Sequence, residues 1–170
     1  MVYGAISLDG YLAESDGSVG FLSSFDGEDY GYDAFFTSVG GLVMGATTYE
    51  QVLGFGWPYG DLPVLVLSHR NVEIPVGVKA TISSGDTANA IGSFADAVEK
   101  AVWIVGGGVV ITDALAAGLV DCLDLAVMPV LLGSGIRLVT EPIHRSFRLS
   151  EAVTYENGVV RLVYSPGPSH

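Results

Sequence analysis

The chain has 170 residues, enough for one domain over residues 1–170 and too few for two of ordinary size. Apolar residues make up 49% of it, which supplies a core and excludes a disordered chain, and the single cysteine, Cys122, excludes an internal disulfide. Lys plus Arg number 7 against 19 Asp plus Glu, and the formal net charge of -12 argues against nucleic acid and anionic membrane surfaces as partners.

Met1 to Asp9 carries no basic region ahead of an apolar run and does not read as a signal peptide. The longest apolar stretch, Ala126 to Leu132, is interrupted by Pro129 and is too short to cross a bilayer. The expectation is a soluble, cytoplasmic protein.

Val2 to Leu8 reads as a first strand, ended by the Asp9-Gly10 loop. Asp29 to Ser38 has helical spacing at Tyr32, Phe35 and Phe36, with Gly40-Gly41 as its stop. Leu42 to Met44 is a short buried strand. Thr47 to Leu53 is a helix opened by threonines. Pro63 to Leu67 and Val78 to Ser83 read as strands, and Asp86 to Lys100 as a helix with Asp86 at its N-cap. Ala101 to Val105 is an apolar strand running into Gly106-Gly107-Gly108. Val109 to Ala117 is a helix closed by Gly118, and Cys122 to Val130 is strand-like. Leu149 to Tyr155 and Val159 to Tyr164 flank Glu156-Asn157-Gly158, a hairpin signal. Strands alternating with helices and closed by a hairpin predict an α/β sandwich whose sheet is mostly parallel, with an antiparallel carboxyl-terminal edge.

Three strand ends carry chemistry suited to phosphate. Gly106-Gly107-Gly108 leads a strand into a helix, where bare backbone and free N–H groups can meet an anion. Gly45 permits close approach at the next such junction, and Thr47 and Thr48 offer hydroxyls there, though capping the helix would also explain them. Ser68, His69 and Arg70 end a third strand. In open α/β sheets, ligands lie outside the carboxyl ends of the strands. Asp9 ends the first strand near the same edge, as a substrate-orienting or proton-relaying carboxylate or as a plain Asp-Gly turn. Glu28 and Asp29 open the first helix and complement its dipole, with Asp29 a second candidate acid. Trp57-Pro58-Tyr59 is placed to roof a flat ring or to pack. His144 and His170 have no evident partners, and no metal-ligand spacing or Ser-His-Asp signature is present. No lysine or arginine precedes Arg70, while Arg137, Arg145, Arg148 and Arg161 lie towards the carboxyl end.

Taken in order, Ser7-Leu8-Asp9-Gly10-Tyr11, Met44-Gly45-x-x-Thr48-Tyr49-Glu50, Leu67-Ser68-x-Arg70, Val105-Gly106-Gly107-Gly108 and Pro129-Val130-Leu131-Leu132-Gly133-Ser134-Gly135 resemble the carboxyl-terminal reductase domain of the bifunctional riboflavin-biosynthesis deaminase/reductase. The resemblance spans about Val2 to Tyr164 and implies the three-layer sandwich of dihydrofolate reductase, often as a homodimer. It also implies NADPH-dependent reduction of a pyrimidine- or pterin-like compound of the 5-amino-6-(5-phosphoribosylamino)uracil type. Gly106, Gly107 and Gly108 match the pyrophosphate glycines, Gly45, Thr47 and Thr48 a second phosphate loop, Ser68 and Arg70 the adenosine-ribose loop, and Asp9 a substrate-side aspartate.

One departure stands out, because Ala46 replaces the family's usual arginine. A charge-assisted hydrogen bond is worth roughly 1.5–3 kcal/mol, so the change predicts weakened NADPH binding or a drift towards NADH or a flavin. The cation-free first third predicts a neutral or weakly charged heterocycle. Two other readings stay open: dihydrofolate reductase proper, and a nucleotide- or flavin-binding module without catalysis.

Overall fold

The computed structural model describes residues 1–168, so His170 lies outside the described residues. Ten strands are β1 (Val2–Ser7), β2 (Tyr11–Ala13), β3 (Val39–Gly45), β4 (Val64–Leu67), β5 (Ala80–Ser83), β6 (Ala101–Gly106), β7 (Leu123–Met128), β8 (Ile136–Arg137), β9 (Phe147–Thr154) and β10 (Val160–Pro166). Four helices are α1 (Tyr32–Ser38), α2 (Ala46–Gly54), α3 (Thr87–Asp96) and α4 (Gly108–Ala116), with a 3-10 turn at Gly20–Phe25.

Eight strands form one sheet in the order β5-β4-β3-β6-β1-β7-β10-β9, and β2 pairs with β8 in a separate ribbon. Neighbours from β5 to β7 run parallel, while β10 is antiparallel to both β7 and β9. Helices cover both faces. On one, Ile91 of α3 and Val110, Ile111 and Leu115 of α4 pack on Val43, Leu65 and Ile104. On the other, Phe35 of α1 and Tyr49 of α2 pack on Leu42, Met44, Val66 and Trp103. Alternate residues of one strand thus enter opposite cores, which is why β3, β4 and β6 read as continuous apolar runs. Each such side chain contributes about 1.5–3 kcal/mol by leaving water. The result is the expected three-layer α/β sandwich with an antiparallel carboxyl-terminal hairpin.

Several details differ from the sequence expectation. The first helix starts at Tyr32, and Gly40-Gly41 lie inside β3 rather than stopping it. A Cβ on Gly41 would stand 2.9 Å from the Phe94 ring, so these glycines let the end of α3 close on the strand. The threonines do not cap α2, whose N-cap is Gly45 with no side-chain bond. Asp86 does cap α3, accepting the Asn89 N–H at 2.8 Å, but that helix ends at Asp96. The ribbon of β2 and β8 was not expected, since strands of three and two residues are too short to display alternation.

Candidate active site

The central sheet is split beside its middle strand. β1 pairs with β7 through six residues, Val2↔Leu123 to Ser7↔Met128, yet pairs with β6 only at Val2↔Ile104. Beyond that point the strands separate, and β6 leaves through Gly106 at φ +146. The gap is a cleft of about 240 Å³ floored by Gly4, Ala5, Val105 and Gly106 and walled by Leu22 and Thr48. Among the described residues, no Asp, Glu, Lys, Arg or His lines it.

The cleft opens into a second cavity of about 450 Å³, with Gly17, Thr48, Gln51 and Gly107 lining both. Here the starts of α2 and α4 converge. Gly45 and Gly107 are their N-caps, and no side chain caps either helix, so first-turn N–H groups and the positive dipole ends face the cavity. Bare backbone is needed here. A Cβ on Gly108 would stand 2.2 Å from the Arg137 carbonyl oxygen, one on Gly45 3.3 Å from Val110 Cγ2, and one on Gly107 3.4 Å from Thr48 Oγ1. The Gly106–Gly107 peptide is cis. Ala46 and Thr47 line this cavity, and among the described residues its one ionisable side chain is Asp16.

A third cavity, of about 430 Å³, continues the trench past Ala46, Val109 and Val110 to the ends of β4 and β5. Ser68, His69, Arg70, Ser84, Thr87 and Asp113 lie there. The Ser68 hydroxyl is committed to its own loop: it accepts the Arg70 N–H at 3.1 Å and donates to the Arg70 carbonyl at 2.6 Å. The Arg70 guanidinium donates to both carboxylate oxygens of Glu50. That pairing holds the Glu50 carboxyl below its usual range and raises Arg70.

Residues 1–161 match the family described as the RibD C-terminal domain. This chain belongs to the RibD C-terminal domain family. It is 33% identical over 148 residues to the uncharacterized protein YwjB of Bacillus subtilis, covering 83% of this chain and 82% of that one. A solved protein of riboflavin-biosynthesis type from Shewanella sp. PV-4 superposes with a TM-score of 0.85 at 31% identity, over 98% of both chains. Dihydrofolate reductase from Enterococcus faecalis, solved with NADP(H) and RAB-propyl, superposes with a TM-score of 0.71 at 18% identity, over 98% of this chain and 95% of that one. The fold is thus dihydrofolate-reductase-like, and the RibD C-terminal domain family is reductase-like.

In this RibD C-terminal domain the glycine- and threonine-marked strand ends meet as the sequence suggested: Gly45, Thr47, Thr48, Gly107 and Gly108 share one cavity, Gly106 borders the cleft, and Ser68 and Arg70 stand at the far end. The two candidate acids do not meet there. The Asp9 carboxylate accepts the Ser7 hydroxyl at 2.6 Å and the N–H groups of Leu132 and Gly133 at 3.1 and 2.7 Å. Those donors, the Ser7 hydroxyl above all, lower its pKa to about 2. Asp9 therefore stays ionised at neutral pH, and the geometry makes it an anchor for the 131–133 loop rather than a proton donor. Asp29 is exposed, and its carboxylate accepts the Asp33 N–H at 2.9 Å in the first turn of α1. Neither lines the cleft.

Trp57 and Tyr59 do not roof the cleft but join the aromatic core, with centroids 5.2 Å apart edge to face. His144 lines a separate cavity near Gly118. The sequence reading missed Gln51, whose amide donates to the Gly17 carbonyl at 2.6 Å and pins the Asp16–Ser18 turn over the trench. It also missed Gly4, an in-strand glycine whose absent side chain leaves room in the cleft. An isolated glycine in a strand is itself a signal of close approach by a ligand or backbone.

Proposed function

We propose that this protein is a pyridine-nucleotide-dependent reductase of a flat, uncharged pyrimidine- or pterin-like heterocycle. The observation that carries the reading is the split between β1 and β6, which opens directly onto two glycine-capped helix starts. A dinucleotide fits these residues: Gly45, Gly107 and Gly108 line the second cavity with backbone alone, and the N–H groups at the uncapped starts of α2 and α4 are placed to bind a diphosphate there. When bound, the reduced nicotinamide would supply the hydride. The chain's own part is positional. The Thr47 and Thr48 hydroxyls add donors beside the diphosphate, and Gly4, Ala5 and Gly106 leave a slot where a ring can lie against the sheet. The mostly apolar walls fix the approach.

The uncharged lining favours a neutral substrate. A phosphoribosyl tail would find no cation in the cleft, and Arg161 is already held by both oxygens of Asp124. With no carboxylate lining the cleft, the dihydrofolate reductase alternative loses its candidate acid. The proton completing the reduction comes from solvent.

The test is calorimetric titration with NADH and NADPH, followed by turnover with neutral and phosphorylated pyrimidines and pterins. Micromolar binding of one nucleotide, about -8 kcal/mol, with turnover of neutral rings supports the reading. No binding of either nucleotide overturns it, and strong turnover of the phosphoribosyl pyrimidine overturns the substrate class.

A further inference from the structure

The far end of the trench differs in charge from what a doubly phosphorylated ribose needs. Arg70, which lines this end, is held bidentately by Glu50 from α2, and both side chains are about half exposed. Asp113, one turn into α4, lines the same space. One cation thus faces two carboxylates. Ala46, the residue shared with the diphosphate cavity, adds no charge. The remaining polar groups are the His69 imidazole and hydroxyls and backbone from Ser68, Ser83, Ser84, Gly85 and Thr87. Lys79 is engaged elsewhere, 3.6 Å from Asp61.

We infer that Glu50 is a specificity-determining residue: by occupying Arg70 it makes the site select a dinucleotide whose adenosine ribose keeps both hydroxyls free (NADH) over one bearing a 2′-phosphate (NADPH). The inference rests on the pyridine-nucleotide reading above and refines it. To engage a 2′-phosphate, Arg70 must release Glu50, and the freed carboxylate then stands beside an incoming dianion. Like charges at such separation oppose binding, and the phosphate regains only the arginine bonds that Glu50 has lost. A ribose hydroxyl asks nothing of Arg70. It can donate to a carboxylate and accept from the hydroxyls, so the pair stays intact.

The experiment titrates the intact protein with NADH and NADPH in parallel, then repeats both with Glu50→Gln, Asp113→Asn and, as a control, Asp61→Asn. Glutamine keeps the shape of the side chain but frees the charge of Arg70. The expected result is NADH binding at least about tenfold tighter than NADPH, the scale of one charge-assisted hydrogen bond. Glu50→Gln tightens NADPH by a similar factor and so narrows or removes the preference for NADH. Asp113→Asn shifts selectivity the same way, but less. Asp61→Asn, which removes the same charge away from the trench, leaves the ratio alone. Tighter NADPH binding by the unaltered protein overturns the inference while leaving the reductase reading intact. An equal shift in the Asp61 variant also overturns it, because total charge would then be the cause. Binding of neither nucleotide overturns both.

Discussion

On its β7 side, β1 is paired through all six residues, whereas on its β6 side one residue pair remains. Next to the closed side stands a buried ion pair, Asp124 of β7 with Arg161 of β10, joined at 2.8 and 2.6 Å. On the open side, among the described residues, the lining is uncharged. The same strand is thus a structural element towards β7 and a binding surface towards β6. Where the sheet gives up its ladder, it gains a slot flanked by two helix starts, and stability must come from the rest of the sheet.

That contrast predicts different consequences for substitutions on the two sides. The largest loss of stability is expected for Asp124→Ala, which strands the Arg161 guanidinium with only Glu151 at 3.7 Å. Removing one partner of a buried pair costs about 3 kcal/mol, read as a lower denaturation midpoint, with nucleotide affinity of the folded protein unchanged. Gly108→Ala comes next. Its Cβ meets the Arg137 carbonyl at 2.2 Å, so the start of α4 must shift, costing about 1–3 kcal/mol and weakening nucleotide binding together.

Gly4→Val reverses the pattern. No atom lies within 4 Å of the added Cβ, which projects into the cleft. Stability is expected to hold or rise by up to about 1 kcal/mol, since glycine weakens a strand, while nucleotide binding and turnover are lost. If Gly4→Val destabilised the protein as much as Asp124→Ala, the division between the two sides of β1 would be broken.

Asp9→Asn should have the smallest effect at neutral pH. The folded Asp9 has a pKa lowered from 3.8 to about 2, so its contribution is present above pH 3.8 and is lost as pH falls to about 2. The unaltered protein should therefore lose stability across that acid window more steeply than the asparagine variant, as followed by acid titration of the denaturation midpoint. A variant as acid-sensitive as the parent would show that the 131–133 loop does not depend on this carboxylate.

Asp9 also shows where the sequence misleads. An aspartate followed by glycine at a strand end looks alike whether it faces a substrate or holds a loop. Its partners, Leu132 and Gly133, lie 123 and 124 residues away, and no local pattern links them. Gly40-Gly41 misled in the same way: paired glycines stop helices, but here they admit Phe94, Val98 and Lys100 against a strand. Thr47 and Thr48 do lie at a helix start and line the cavity there, though glycine, not threonine, caps the helix.

The sequence by itself determined the succession of strands and helices, the closing hairpin, the glycine-marked strand ends and the absence of lysine and arginine before Arg70. These are properties of periodicity, turn chemistry and composition, all of which act along the chain. The tertiary structure alone decided that β1 parts from β6, that Asp9 anchors a distant loop, and that Glu50 claims Arg70 from 20 residues away. Periodicity says which side of a strand is buried. Which strand lies beside it, and which carboxylate reaches which guanidinium, depends on how the packed layers bring remote residues within hydrogen-bond distance.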